Sequence, residues 1–541
     1  MQYDNGGELL VAHLESLGID TVFGIVSVHN LPLVEAVDRH LRFVPVRHEA
    51  TAVNAADGYG RARGSIGCAL TSTGTGAGNA AGSLIEALSA GTAVLHVTGQ
   101  VESEYLGSGR GFIHETKDQL GMLSSVSTYA ATVTSARDAG RVLREASAAA
   151  LATPGGPASV EWPIDLQYAA QVDAGEAVPS GEAPSPAAAE LVAAQDLLAR
   201  SRRPLIWAGG GARHARQELA ALLEATGAGL VSSNSGRGSV PEDHPLVIGN
   251  FATNPAVRAL LADADVLVTI GTHFRSNETA DYNLKLPEAH IQIDADAAAL
   301  GRVYPVRHAL HAEAAAVLPS LTAAAARADA DWSARVTAVR DEVRAALHDD
   351  IGPQAALCDA LAAALPRGAV VARDVTIPSS SWGNRLLPIH DPRANVFPRG
   401  GGIGQGLGMG IGAALARPDE PTVVIAGDGG LAVHFGELLT VAQERPRLTL
   451  IVFNDGGYGV LRNMQDKYGE RRSGVDLFTP DFGPLAAACA LPYARIAAPE
   501  EAAPVLEAAL ASDGPTLVEV DLTALGPMKN PFTPPVKIPT A

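Results

Sequence analysis

Residues 422–430 read TVVIAGDGG and residues 448–459 read LTLIVFNDGGYG. Each is a short unbroken apolar run closed by an acid and glycines, the pattern of a strand buried on both faces of a parallel sheet and ending in a loop. Strands are expected at Thr422–Ala426 and Leu448–Phe453, so Asp428 and Asp455 fall just past the carboxyl ends of neighbouring strands. Ligands bind at that edge of an open α/β sheet. Two carboxylates plus a carbonyl from the Gly456-Gly457 turn make an oxygen set suited to Mg²⁺, which shares its shell with the phosphates of a ligand. The competing role for both acids is to cap helices beginning near His434 and Tyr458.

The same rhythm extends outward in both directions. Ala369–Ala372 and Thr516–Val520 complete a third set of strands. A first set lies at Thr21–Phe23, Phe43–Val46, Ile66–Leu70, Thr92–Val97 and Ala158–Trp162, and a middle set at Pro204–Trp207, Gly229–Ser232, Val266–Ile270 and Ile291–Ile293. An Ala-rich helical stretch from Ala312 to His348 closes the middle set. Strands alternating with helical patterns specify parallel sheets with crossover helices. Gln171 to Ala187, including VDAGEAVPSGEAPSP, has no periodicity and reads as an exposed linker. The expected fold is therefore α/β, three doubly wound parallel-sheet domains at 1–170, 188–348 and 351–541. A proline-rich arm from Gly526 to Ala541 ends the last of them.

Composition narrows the function classes. The 541 residues are 47% hydrophobic and 18% charged, enough to bury several cores. Forty basic against 59 acidic residues give a formal charge of −19, which disfavours nucleic acid and anionic membranes as partners. Cys68, Cys358 and Cys489 are too scattered for a disulfide framework or zinc site and read as small core residues. No basic stretch leads into an apolar run at the start, and no span of about eighteen apolar residues occurs, so a cytoplasmic location is expected. Glycine-rich stretches at Gly74–Gly78, Gly209–Gly211 and Gly400–Gly406 are weak signals alone, since glycine also serves tight turns and close packing. None is followed by the Lys-Ser/Thr of a phosphate-binding ATPase loop.

The GDG at Gly427 followed by FNDGGYG at Phe453–Gly459 resembles the diphosphate–Mg²⁺ motif of thiamin-diphosphate-dependent enzymes, and the 27-residue step from Asp428 to Asp455 matches that family's interval. The likeness covers nearly the whole chain. Arg47-His48-Glu49-Ala50 resembles the segment of the cofactor-activating glutamate, Gly400–Ala414 the pyrimidine-binding loop, and the middle segment the noncatalytic central domain. The branch it resembles is the acetolactate synthase, benzoylformate decarboxylase and benzaldehyde lyase group. Tyr458–Arg462, Gly474–Leu477 and Pro480-Asp481-Phe482 are similar to the benzoylformate decarboxylase side.

The resemblance implies pyrimidine-binding, central and diphosphate-binding domains, and nonoxidative decarboxylation or carboligation of a 2-oxo acid through a carbanion/enamine at the cofactor's C2. It implies that Asp428, Asp455 and Gly457 hold Mg²⁺. Thr376, Gly401, Ile403, Gly427, Gly429, Gly430, Gly457 and Tyr458 would contact thiamin diphosphate, Ile403 as the apolar wedge beneath its two rings. Glu49 would bond the aminopyrimidine; the plain alternative is a first-turn glutamate favoured by the helix dipole. His29 and His114 match positions near the reacting centre, and either imidazole could transfer protons near neutral pH. Val28, Ser72, Val460 and Met464 match the substrate pocket. A homodimer or homotetramer with interfacial active sites is implied, because the family pairs these domains between subunits.

Three departures shape the expectation. Asn454-Asp455 stands where the family has Asn-Asn, adding a negative charge that magnesium accepts. Ser72 stands where benzoylformate decarboxylase has a catalytic histidine, which counts against a benzoylformate-type decarboxylase. Gly271-Thr272-His273-Phe274-Arg275 replaces the Gly-x-Arg-Phe start of the FAD-contacting stretch, so FAD is not expected. The alternatives are an acetolactate synthase joining two pyruvates, a flavin or nicotinamide oxidoreductase using the glycine loops, and a catalytically silent relative. Retention of Glu49, Asp428 and Asp455 together argues against the last. With a serine at 72 and two histidines on the acceptor side, joining of two carbonyl compounds is expected to exceed simple aldehyde release.

Overall fold

The apolar runs form the centres of three parallel six-stranded sheets in the computed structural model, which describes residues 1–173, 175, 183–469 and 471–534. The first sheet runs Arg42–Pro45, Thr21–Gly24, Gly67–Thr71, Val94–Gln100, Pro157–Pro163, Tyr129–Thr132. The third runs Asn395–Val396, Val370–Arg373, Thr422–Gly427, Leu448–Asn454, Thr516–Asp521, Tyr493–Ile496. Numbered within its own sheet, each has the order 2-1-3-4-6-5, so the first and third sheets share one topology. The middle sheet has the order 3-2-1-4-5-6, with Pro204–Ala208 beside Val266–Ile270 at its centre. Helices cover the sheets, and buried Val, Ile, Leu and Ala side chains fill the layers between.

Among the described residues of the three six-stranded sheets, five strands lie outside the apolar runs that mark the others: Tyr129–Thr132, Val247–Gly249, His308–His311, Asn395–Val396 and Tyr493–Ile496. Each is a sheet edge. An edge strand is short and covered on fewer sides, so it keeps polar residues and loses the continuous apolar signature. The stretch expected to be helical from Ala312 to His348 is two helices, Ala314–Ala324 and Ala330–Asp350, separated by residues 325–329. The aperiodic stretch expected from Gln171 begins later, because Gln171, which is buried, and the exposed Val172 pair antiparallel with Gln2–Tyr3. Within that linker, residue 174 and residues 176–182 lie outside the described residues, as do residues 535–541 of the C-terminal arm. The described part of the arm has no helix or strand after Leu525, and Phe532 accepts a bond from Asn463 Nδ2 at 2.9 Å.

Two helices join the first and third domains within one chain. Glu49–Arg63 lies against Gly406–Ala416 with no room for side chains at the crossing. A Cβ on Gly58 would sit 2.0 Å from the Met409 carbonyl oxygen, and one on Gly412 1.8 Å from that of Ala55. Glycine is required there by close backbone approach. Beside the seam, buried Asp57 pairs with Arg61, which also donates to the Phe397 carbonyl at 2.7 Å. No described helix is long and apolar enough to cross a membrane.

Candidate active site at two sheet edges

In both end domains several of the candidate residues leave the sheet at the point where strand order reverses. That geometry opens a crevice beyond the carboxyl ends of the two central strands. In the first domain these are Thr21–Gly24, followed by the loop with Val28 and His29, and Gly67–Thr71, followed by Ser72 and Gly74. In the third they are Val370–Arg373, followed by Asp374 and Thr376, and Thr422–Gly427, followed by Asp428.

The first edge gathers Glu49, Ser72, His29 and His114. Glu49 opens its helix after the cap residue His48, whose Nδ1 accepts the Ala50 N–H at 3.1 Å. Its Oε2 accepts a bond from Asn79 Nδ2 at 3.0 Å, while Oε1 borders Gly76 beside Ser72. Among the described residues, the hydrogen bonds of this carboxylate stay within the first domain. His29 is buried, and Gly99 makes room for it, since a Cβ there would lie 2.2 Å from the His29 carbonyl oxygen. Gln167 Nε2 fixes the same carbonyl at 2.8 Å. The His29 and His114 rings meet edge to face, centroids 5.2 Å apart. Both nitrogens of His29 and Nδ1 of His114 are buried without a hydrogen-bond partner among the described residues. Burial, then the nearby His114 charge, pulls the His29 pKa below its ordinary value. An imidazole so placed is neutral at physiological pH and can either hold or supply a proton.

His114 sits in a left-handed conformation, φ 66°, over Gly74, where a Cβ would fall 2.4 Å from the His114 carbonyl oxygen. Gln119 Oε1 accepts from the Gly74 N–H at 2.6 Å and from Thr73 Oγ1 at 2.9 Å, which locks this elbow. Val28 is 60% exposed, so it forms an open rim at this edge of a single chain.

The second edge gathers Asp428, Asp455, Gly427, Gly429, Gly430, Gly457, Tyr458 and Thr376. The strands ending at Gly427 and Asn454 are paired neighbours, which brings the two acids together. Neither acid is the cap residue of its helix; those positions are Gly427 and Tyr458, before Asp428–Leu431 and Gly459–Tyr468. The capping alternative is thereby replaced. Burial raises the Asp428 pKa despite bonds from the backbone N–H groups of Gly429, Asp455 and Gly457. Burial and the Asp428 charge push Asp455 up to about 6, with Arg462 opposing. Asp428 Oδ2 and Asp455 Oδ1 are buried without a hydrogen-bond partner among the described residues, Arg462 Nη1 standing 3.7 Å from the latter. Two desolvated like charges with unused lone pairs are the donor set of a hard divalent cation, so these residues fit Mg²⁺. Gly429 packs on the Gly457 carbonyl and the Tyr458 ring, and Thr376 Oγ1 stands 3.0 Å from where a Gly427 Cβ would be. Val460 and Met464 are half-buried on the helix Gly459–Tyr468.

Gly401 and Ile403 lie on the adjoining loop. Gly401 has φ +92° with open space where a Cβ would stand, and Ile403 is 39% exposed. Asp374 organises this loop: buried, it accepts the Gly404 N–H at 2.9 Å and the Val375 N–H at 2.7 Å, and borders Gly430. Glu86 of the first domain accepts the Gly400 N–H from the other side. Sequence reasoning did not reach Asp374, Glu86 or Gln167, and it used Gln119 only, with Asp118, to align His114 with the family. Only Asp374 carries a usable signal, an acid just past a buried strand, as Asp428 is. In the middle domain, Gly209 and Gly211 pack directly on Gly271, which is the ordinary close-packing role of such glycines.

Three family models match the chain in order. The thiamine pyrophosphate enzyme N-terminal TPP binding domain matches residues 4–122, the central domain 191–321, and the C-terminal TPP binding domain 378–520. A protein of Pseudomonas aeruginosa named probable 2-ketoarginine decarboxylase is 32% identical over 523 residues, 95% of this chain and 93% of that one. The acetolactate synthase isozyme 2 large subunit of Escherichia coli is 28% identical over 540 residues, 96% of each chain. A probable acetolactate synthase large subunit of Methanocaldococcus jannaschii is 28% identical, covering 95% of this chain and 91% of that one.

Proposed function

The chain belongs to the thiamine pyrophosphate enzyme family, whose members in this branch decarboxylate or join 2-oxo acids, and from that premise we propose a carboligase in which Glu49, His29 and His114 handle protons while Asp428 and Asp455 hold the metal. Thiamin diphosphate, when bound, supplies a carbon nucleophile and a sink for the electron pair left by departing carbon dioxide. Everything else falls to the protein. Asp428 and Asp455 side chains with the Gly457 carbonyl would hold Mg²⁺, and Gly427, Gly429, Gly430, Tyr458 and Thr376 would surround the diphosphate. Gly401 and Ile403 would meet the aminopyrimidine. Glu49 has Oε1 free to hold a proton there, its Oε2 being taken by Asn79.

The paired imidazoles carry the choice of carboligation. His29 and His114, 5.2 Å apart with unpartnered buried nitrogens, supply donors for an acceptor carbonyl turning into an alkoxide. Ser72 beside Glu49 is a poor acid and offers no competing route to protonation and aldehyde release. The open rims at Val28 and Ile403, together with a Glu49 carboxylate bonded, among the described residues, only to its own domain, support a homodimer or homotetramer whose sites close between subunits. A small 2-oxo acid with a carbonyl acceptor is the expected substrate pair. The test supplies a 2-oxo acid with and without saturating acceptor and separates the products by chromatography. Acyloin or acetolactate-type product should exceed free aldehyde; aldehyde alone would leave a simple decarboxylase.

A further inference from the structure

The turn that delivers Glu49 is held from outside its own domain. Between the strand Arg42–Pro45 and the helix Glu49–Arg63, the Val46 N–H bonds the Gly24 carbonyl, but the Arg47 N–H crosses to Glu437 Oε1 of the third domain at 3.0 Å. Glu437 is 1% exposed. Its second oxygen accepts from Thr440 Oγ1 at 2.6 Å. The Arg47 side chain turns elsewhere, to Gln443 Oε1 and the Pro45 carbonyl, both at 2.8 Å. The His48 and His434 rings lie 5.1 Å apart across the same boundary, and Arg42 pairs with Glu444 at 2.8 Å.

Burying a carboxylate is costly unless its oxygens are bonded, and a charged acceptor makes the stronger bond to a backbone N–H. This carboxylate is directed at one amide, two residues ahead of Glu49. The helix that bears it, Glu437–Glu444, follows the short helices that begin at Asp428. We propose that Glu437 is a positioning residue for Glu49, its carboxylate fixing the Arg47 amide so that the Glu49 side chain enters its site in one orientation. The proposal rests on the reading of Glu49 as the carboxylate that bonds the aminopyrimidine. It also ties the metal-bearing segment and the proton-bearing turn of one chain into a single mechanical unit.

Two readouts test it, one of them free of cofactor. In the cofactor-free protein, amide hydrogen exchange over residues 46–49 should lose about tenfold protection in Glu437→Ala, the scale of one lost hydrogen bond. Glu437→Gln keeps an acceptor and should stay within about threefold of the parent. In the loaded protein, exchange of the C2 proton of thiamin diphosphate should slow about tenfold or more in the alanine variant, because orientation governs such transfers. Cofactor affinity with magnesium should change by less than about threefold, since the metal ligands are untouched. A purely structural role would lower affinity and exchange together, or neither, and rescue by Gln would be absent. Unchanged amide protection and unchanged C2 exchange in Glu437→Ala overturn the proposal. Should the alanine variant not fold, Thr440→Val removes the bond orienting Glu437, and must show the same split in milder form. If Glu49→Gln itself leaves C2 exchange untouched, the reading of Glu49 fails, while the amide measurement still reports on Glu437.

Discussion

Asp455→Asn isolates the electrostatics of the acid pair in protein stripped of metal and cofactor. Burial and the Asp428 charge move the Asp455 carboxyl from 3.8 to about 6. A folded-state value above the unfolded one means that the protonated form favours folding. That stabilisation is fully present below pH 3.8 and is lost as pH rises through about 6. The shift corresponds to about 3 kcal/mol at roughly 1.4 kcal/mol per unit. The side chain is 20% exposed, and solvent screening brings this to about 2 kcal/mol. Asparagine removes the charge at nearly constant shape. The chelator-treated variant should therefore gain about 2 kcal/mol over the parent at pH 7.5, and less than about 1 kcal/mol at pH 4.5. Denaturant midpoints at the two pH values measure this, and added Mg²⁺ with thiamin diphosphate should close the gap by neutralising the parent's charge. A gap of equal size at both pH values, or none at pH 7.5, would refute the raised Asp455 carboxyl.

Asp428→Ala should weaken magnesium-dependent cofactor binding by about hundredfold or more, as loss of a direct metal ligand does; undiminished affinity by calorimetry would remove Asp428 from the site. Glu49→Gln should bind cofactor normally yet exchange the C2 proton about hundredfold more slowly, because an amide cannot take the carboxylate's place as proton holder. His29→Ala should depress product joining more than C2 exchange, since the imidazole faces the acceptor while activation runs through Glu49; equal loss of both would remove His29 from the joining step. Gly74→Ala forces a Cβ onto the His114 carbonyl at a φ of +62° and should cost about 1–3 kcal/mol, read as a lowered denaturant midpoint with ligation reduced.

The fold was legible where strands were covered on both faces, as at Thr422–Gly427 and Leu448–Asn454, because double burial writes an unbroken apolar run. It faded at edges such as Asn395–Val396, a two-residue strand set by its neighbour Val370–Arg373. Asp428, Asp455 and Glu49 stood out because short motifs surround them. Glu437 and Gln167 did not, since their partners, Arg47 and His29, lie 390 and 138 residues away and no local pattern announces the contact. The two-helix reading of 314–350 was hidden by alanine, which favours helix on both sides of the break at 325–329.

The glycine-on-carbonyl seam between Glu49–Arg63 and Gly406–Ala416 also bears on how the chain is made. The first helix leaves the ribosome well before its partner exists, with over three hundred residues still to come. At typical elongation rates the wait is roughly half a minute. During that interval the face around Gly58 and Ala55 has no cover. A large apolar surface left open so long would invite aggregation, but this face is built from small side chains and backbone, with the bulk of Val53 and Tyr59 turned into their own domain. Close packing at the seam thus serves the nascent chain as well as the finished site, by giving the waiting domain little to stick with.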